Sequence, residues 1–253
     1  IQNVTANKSP HKFAWFAGDP QSYHSLLAGK SILSAAAYGG MVEIQVEDIR
    51  LIFCDGANVR YYSPGEKLPE KHQLHIEFED FSSLVCSVQM YGALWALSEG
   101  RTEGYNECAR RKPSPFSDDF NRNYFRSLYT EQDGKLSVKA FLATKQRIPG
   151  LGNGVLQDIL FNARVHPKCK MNTLLDNELT SIYNAVKNTL FEMAANGGRD
   201  TEKDLFGCSG GYRTILSAKT FGKPCPVCGS AIVREAYLGG NIYFCPECQK
   251  LKK

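Results

Sequence analysis

The chain has 253 residues, of which 43% are hydrophobic and 22% charged, an ordinary globular composition that excludes a disordered or fibrous protein. The length predicts one or two domains with a sizeable core, and no apolar run approaches the ~18 residues that would span a bilayer. The formal charge of +4 is unevenly spread: residues 1–100 are net −4, 101–170 net +6, 171–218 net −2 and 219–253 net +4. Two positive blocks in the second half suit a polyanion partner, and equally a solvated basic face. Neither a secretory signal nor an internal repeat is visible.

In chain order, residues 31–97 predict an antiparallel sandwich or barrel. Met41 to Glu47 alternates, with Val42, Ile44 and Val46 on one face and Glu43, Gln45 and Glu47 on the other. Ile49 to Cys54 is a second strand, Gln73 to Glu79 a third, and Leu84 to Met90 runs back before the apolar segment Gly92 to Leu97. Glu43, Glu47, Glu77, Glu79 and His75 read as solvent faces. The polar stretch 101–116, with Arg110-Arg111-Lys112-Pro113-Ser114-Pro115, predicts an interdomain linker. Beyond it the period becomes helical. Ser117 is the expected cap of a helix carrying Phe120, Tyr124 and Leu128, and Ser137 the cap of one through Phe141 and Leu142. Val155, Leu156, Ile159, Leu160 and Ala163 form one apolar stripe. Leu175, Leu179, Ile182, Tyr183, Val186, Leu190 and Phe191 form another, stopped at Asn196-Gly197-Gly198.

Two local patterns carry chemistry. Ahead of the Val155 stripe, Ile148-Pro149-Gly150-Leu151-Gly152-Asn153-Gly154 places a glycine-rich turn directly before a helix. Gly150, Gly152 and Gly154 let the backbone turn and approach a ligand, the first N–H groups of the helix point outward, and Asn153 adds a side-chain donor. Lys145 and Arg147 flank the turn. This suits an anion such as phosphate, although a plain interhelical turn has the same spacing. At the C-terminal end, Cys225-Pro226-Val227-Cys228 and Cys245-Pro246-Glu247-Cys248 are separated by 16 residues, enough for a β-hairpin. Four thiolates at that spacing predict one structural zinc with no open position. The other five of the nine cysteines are scattered, which predicts a reducing, cytoplasmic compartment, at the nucleoid if the source is bacterial.

With the β half, the glycine turn and the four-cysteine module in that order, the chain resembles the formamidopyrimidine-DNA glycosylase / endonuclease VIII family of base-excision repair enzymes. The most specific stretches are Pro69-Glu70-Lys71-His72, Ser117-Asp118-Asp119-Phe120, Gly150 to Gly154 with His166-Pro167, and Cys225 to Cys248. The resemblance implies an α+β multidomain protein: a β-sandwich over 1–100, a linker at 101–116, a helix–two-turn–helix domain over 117–212 and a zinc finger over 213–253. It implies DNA held between two halves, and a glycosylase with abasic-site lyase activity on oxidised bases. The partner is then double-stranded DNA with a damaged base or an abasic site, with no membrane, and a monomer is the simplest state.

In the family an N-terminal proline attacks the sugar C1′, a Schiff base forms as the base leaves, elimination cleaves the strand, and a neighbouring Glu moves protons. Nothing near Ile1 matches that Pro-Glu pair, so the catalytic residues are expected in roughly twenty residues upstream, and the chain as it stands is expected to be inactive. Carried over by position, the resemblance makes Asn153 and the turn glycines phosphate ligands. It assigns Lys145, Lys71 and His72 to the DNA backbone. Gln89 and Tyr91 fall on the loop that fills the void of the extruded base, and Tyr212, Arg213 and Asn241 contact the flipped nucleotide or its phosphates. Three places depart: the Gln89-Met90-Tyr91 loop keeps only the aromatic of an Arg and an aromatic, and Gly40 and Gly240 stand where the family often has a Lys and an Arg. The two glycines motivate an alternative, a non-catalytic binder of damaged or kinked DNA.

Overall fold

The computed structural model describes residues 1–98, 100–101 and 104–252, with Tyr105 by its backbone alone. It contains β1 (Asn3–Ala6), β2 (Ala14–Phe16), α1 (Tyr23–Leu27), β3 (Ile32–Tyr38), β4 (Met41–Val46), β5 (Ile49–Phe53), β6 (Ala57–Tyr62), β7 (Leu74–Glu77), β8 (Ser83–Val88) and β9 (Gly92–Ser98). The helices α2 (Gly104–Arg111), α3 (Arg122–Ser127), α4 (Val138–Ala143), α5 (Asn153–Asn162) and α6 (Asp176–Ala195) follow, then β10 (Val233–Tyr237) and β11 (Gly240–Phe244). The chain divides into two compact units: Ile1–Arg110 with Asp204–Cys208, and Arg111–Lys203 with Ser209–Lys253. Among the described residues no helix is long and apolar enough to cross a membrane.

The first unit is a β-sandwich. Four antiparallel strands in the order β1-β7-β8-β6 face five in the order β2-β9-β5-β4-β3, where only β2 and β9 are parallel. Val4, Leu74, Ile76, Leu84 and Cys86 from one sheet meet Val46, Leu51, Phe53 and Leu94 from the other. Tyr23 closes the core from α1. Its hydroxyl donates to the Leu94 carbonyl at 2.9 Å, and burial pushes its pKa up to about 12.

The five-stranded sheet has a second covered face, which corrects two expectations. Met41, Ile52, Cys54, Ala93 and Leu97 pack there with Ala109 of α2, a helix in the stretch expected to be a linker. Thr102 and Glu103 of that stretch lie outside the described residues. Glu43 is not solvent-facing either. At 6% exposure it accepts from Arg110 at 3.1 Å, lies 3.6 Å from Arg50, and meets Asn106 of α2. β4 forms where the alternation placed it, but its faces differ from the expectation: Glu43 is paired rather than wet, and Val42 is 46% exposed. The Asp204–Cys208 segment lies on β6, where the Tyr61 N–H donates to the Leu205 carbonyl at 2.9 Å.

The second unit is helical. Phe120, Phe125, Phe141, Leu142, Leu156, Ile159, Leu160, Ile182 and Val186 form its core. Ser137 caps α4 as expected, accepting from the Ala140 N–H at 3.2 Å. Ser117 does not cap α3. Asn121 takes that place, accepting from Tyr124 at 3.0 Å, and buried Phe120 precedes the helix. On α6 the expected stripe is narrower than read, because Leu175 and Phe191 project into solvent. The helix ends at Gly197 and Gly198, both at positive φ.

Candidate nucleic-acid interface

The glycine turn is held from below. Ile148 and Leu151 bury their side chains in the helical core, while Gly150 supplies a φ of 77° that a branched residue would resist. Gly152 is the N-cap of α5, and Asn153 is its exposed first residue. Gly154 has a different role. A Cβ there would lie 2.6 Å from a guanidinium nitrogen of Arg199, so its absence lets Arg199, paired with Glu202, rest against the first turn of α5. Lys145 is exposed beside the turn. Arg147 is not part of this surface. Its side chain is buried in an ion pair with Asp133 and donates to the Phe141 carbonyl, so it holds the turn's stem.

The hairpin tip turns at Leu238 and Gly239, both at positive φ. It docks on α5 through three hydrogen bonds made by two polar side chains. Asn153 Nδ2 and Gln157 Nε2 each donate to the Asn241 carbonyl at 3.1 Å, and Gln157 Oε1 accepts from the Tyr243 N–H at 3.2 Å. Gln157 also donates to Asn153 Oδ1 at 3.2 Å. From α4, Lys139 donates to the Tyr237 carbonyl at 2.7 Å. The turn and the tip are thus neighbours on one surface. Sequence reasoning missed Gln157; its one signal is the i, i+4 spacing from Asn153, which puts both on one helix face.

The cysteine module fits its expected metal. The Sγ atoms of Cys225, Cys228, Cys245 and Cys248 all lie within 4.8 Å of one another, with separations of 3.8 Å for Cys225–Cys248 and 3.4 Å for Cys228–Cys245. A zinc with bonds of about 2.3 Å sets tetrahedral edges of about 3.8 Å. The four thiolates therefore hold one structural zinc. Cys225 and Cys245 pack with Phe161, Leu216 and Ile232, which ties the metal site to the end of α5.

Tyr212 and Arg213 part company. Tyr212 is buried, contrary to the expected nucleotide contact. Burial, followed by the charge of Asp158, pushes its phenol pKa up, and its hydroxyl bonds that carboxylate. Asp158, fully buried on α5, also accepts from the N–H groups of Ile215 at 2.9 Å and Leu216 at 2.7 Å. Asp200 accepts from Thr214, and its carboxyl is held below the usual range by that hydroxyl. The segment is pinned on both sides of Arg213, which alone of the pair is exposed.

In the first unit, Lys71 is exposed but His72 is buried, which corrects its reading as a backbone contact. Its Nδ1 pairs with the Pro69 carbonyl at 2.9 Å, and its ring meets His75 edge-on. The loop Gln89-Met90-Tyr91 projects outward, with Met90 75% and Tyr91 53% exposed. Gly56 makes that possible, since a Cβ there would fall 1.8 Å from the Tyr91 carbonyl oxygen. At Gly40 a side chain would begin 2.1 Å from Asp55 Oδ1, so the Asp55 carboxylate fills the space beside it. At Gly240 the nearest atom to a Cβ is Asn153 Nδ2 at 3.7 Å, so the space is open.

Comparison with known proteins agrees with this architecture. Residues 112–204 match the model of the formamidopyrimidine-DNA glycosylase H2TH domain, and residues 222–251 that of the zinc finger found in FPG and IleRS. In these two domains the chain is similar to the formamidopyrimidine-DNA glycosylase / endonuclease VIII family. Among relatives, the formamidopyrimidine-DNA glycosylase of Prochlorococcus marinus is 32% identical over 64% of this chain, a match that spans 59% of that relative. That of Lactobacillus delbrueckii is 26% identical over 98% of this chain and 93% of the relative. In fold, Lactococcus lactis Fpg, solved in complex with an abasic site containing DNA, superposes with a TM-score of 0.83 at 20% identity, covering 99% of this chain and 92% of that one. The MutM (Fpg) protein of Thermus thermophilus gives 0.79 at 23% identity, covering 100% and 92%.

Proposed function

We propose that this protein is a base-excision DNA glycosylase with lyase activity at abasic sites, and that its partner is double-stranded DNA carrying a damaged base or an abasic site. The observation that carries the reading is the joint between Asn153 and Asn241. It sets an exposed helix N-terminus beside the tip of a zinc-held hairpin, within the two net-positive blocks of the sequence. One Nδ2 hydrogen of Asn153 is used by Asn241. The second, with the first-turn N–H groups of α5, is available to a phosphate oxygen. Phosphate contacts set register, and the exposed Tyr91 supplies an aromatic face for the gap left by an extruded base.

The chemistry proposed is that of the family. A neutral secondary amine of proline attacks C1′, the base departs, and the resulting Schiff base permits elimination of the 3′ phosphate. Ile1 and Gln2 are not that Pro-Glu pair. The residues from Ile1 onward bind, bend and orient, with Asn153, Lys145, Lys71, Arg213 and Asn241 as backbone contacts. The filled space at Gly40 favours the alternative, a binder that recognises damage without cutting.

Three measurements test the reading. Asn153→Ala should weaken binding of lesion and abasic duplexes alike, by ~1–3 kcal/mol for a bond to a charged oxygen. Lys145→Ala should lower the slope of log affinity against log salt by about one. If both leave binding unchanged in folded protein, the glycine turn is only a turn. Borohydride trapping on abasic DNA, with protein carrying an N-terminal Pro-Glu, separates enzyme from binder: an adduct supports the lyase, and tight binding without one supports the alternative.

A further inference from the structure

The edge strand β2 carries a group of aromatic rings that the reading above does not use. Ala14 and Phe16 turn into the sandwich core, so by the two-residue period of a strand Phe13 and Trp15 face the other way. They are 46% and 52% exposed. Their ring centroids lie 6.4 Å apart, and His11 meets Phe13 edge-on at 6.3 Å. The turn before the strand fixes them: the Phe13 N–H donates to His11 Nδ1 at 3.3 Å, and the Ala14 N–H donates to the His11 carbonyl at 3.0 Å.

The row continues onto the projecting loop. β2 runs parallel to β9 with Ala14 opposite Gly92, and the Gly92 N–H donates to the Phe13 carbonyl at 2.9 Å. The backbone of Tyr91 therefore runs beside that of Phe13. Cations lie beside the rings. Lys12 lies 5.3 Å from the Phe13 ring centroid, Lys8 is exposed four residues before it, and residues 1–18 contain no acidic side chain although residues 1–100 are net −4.

Exposed aromatic faces in a row with interleaved lysines are how proteins hold unpaired nucleotides without reading their sequence. We propose that His11, Phe13, Trp15 and Tyr91 form a stacking platform for unpaired bases of single-stranded DNA, with Lys8 and Lys12 on its phosphates. This rests on the DNA-repair reading and extends it: the substrate class includes DNA with unpaired bases beside the lesion, as in bubbles and single-stranded tracts.

The test uses the whole zinc-loaded chain and two probes, a single-stranded oligothymidylate of about twelve nucleotides, within the usual site size, and an abasic duplex. The protein has two tryptophans, and Trp95 is packed against the covered face of the sheet, so emission quenched by the oligothymidylate reports Trp15. Trp15→Ala and Phe13→Ala should each weaken oligothymidylate binding about tenfold. Trp15→Phe should keep most of the affinity and lose the quenching. Phe191→Ala, an exposed aromatic elsewhere, should change neither. Wild-type protein that binds the abasic duplex but not the oligothymidylate overturns the platform and leaves the DNA reading standing. Binding to neither overturns both. Unchanged oligothymidylate affinity in both alanine variants, or quenching of Trp15 by a strand-forming peptide in its place, also overturns it.

Discussion

Replacing Gln157 with alanine isolates the joint between α5 and the hairpin. The wild-type amide makes three bonds: to the Asn241 carbonyl, to Asn153 Oδ1, and from the Tyr243 N–H. The first two losses are mild. Asn241 keeps its bond from Asn153, and Asn153 Oδ1 is exposed to water. The third is not. Tyr243 stands opposite Arg234 in the hairpin, its N–H points away from the partner strand to Gln157, and it is half-buried. An orphaned buried N–H costs ~1–3 kcal/mol, and partial exposure keeps this at the lower end. A loss of about 1–2 kcal/mol corresponds to a roughly 5- to 30-fold larger open population of the joint. Amide hydrogen exchange on zinc-loaded protein reads this directly. The Tyr243 amide should exchange about 5- to 30-fold faster, while amides bonded across the β10–β11 pair change little, because zinc and the pair itself hold the hairpin. Unchanged Tyr243 exchange would mean that Gln157 does not dock the hairpin. Equal acceleration of every hairpin amide would mean that Gln157 supports its fold instead.

Chelating the zinc should unfold the hairpin and abolish DNA binding while the β-sandwich persists; circular dichroism and retained sandwich amide protection check this, and loss of all protection would count against it. Gly240→Arg should fold normally, since its Cβ meets only ordinary contact at 3.7 Å, and should raise duplex affinity with a salt slope steeper by about one. The Asp200 carboxyl is held low by Thr214, so its contribution is present above the unfolded value near ~3.9 and lost as pH falls through the lower folded value. Between pH 5 and the acid transition (about pH 3), the melting temperature of the wild type should therefore fall more steeply than that of Asp200→Asn; parallel profiles would remove Asp200 as a pH-dependent clasp.

What the sequence made legible was local. The two Cys-x2-Cys pairs, the Ser137 cap and the glycine turn each lie within a few residues of the groups they organise, so spacing alone carries them. The residues that were misread or missed have distant partners. Glu43 meets Arg110 across 67 positions and Gln157 meets Tyr243 across 86, and no period in the chain announces either pair. Alternation identified β4 and β7. It passed over β6, whose six residues are all half-buried, and β2, a three-residue parallel edge too short to show a period. Tyr212 sits in a glycine-rich loop, and only the buried Asp158 beneath it explains why an aromatic there points inward.

The small gap at Gly154 has an electrostatic consequence of its own. A guanidinium laid against the first turn of a helix stands at the positive end of the peptide dipoles, where a cation is disfavoured by a few tenths to ~1 kcal/mol. Arg199 occupies that position, and Glu202 three residues on neutralises it. The carboxylate is more than half exposed, so water already carries much of its charge. The chain thus brings its own counter-ion to the helix terminus, an anion in cis that can be traded for one from outside with little loss of solvation. On the proposed DNA-binding reading, an incoming phosphate would meet a guanidinium already held in place, rather than a flexible one that must first be ordered.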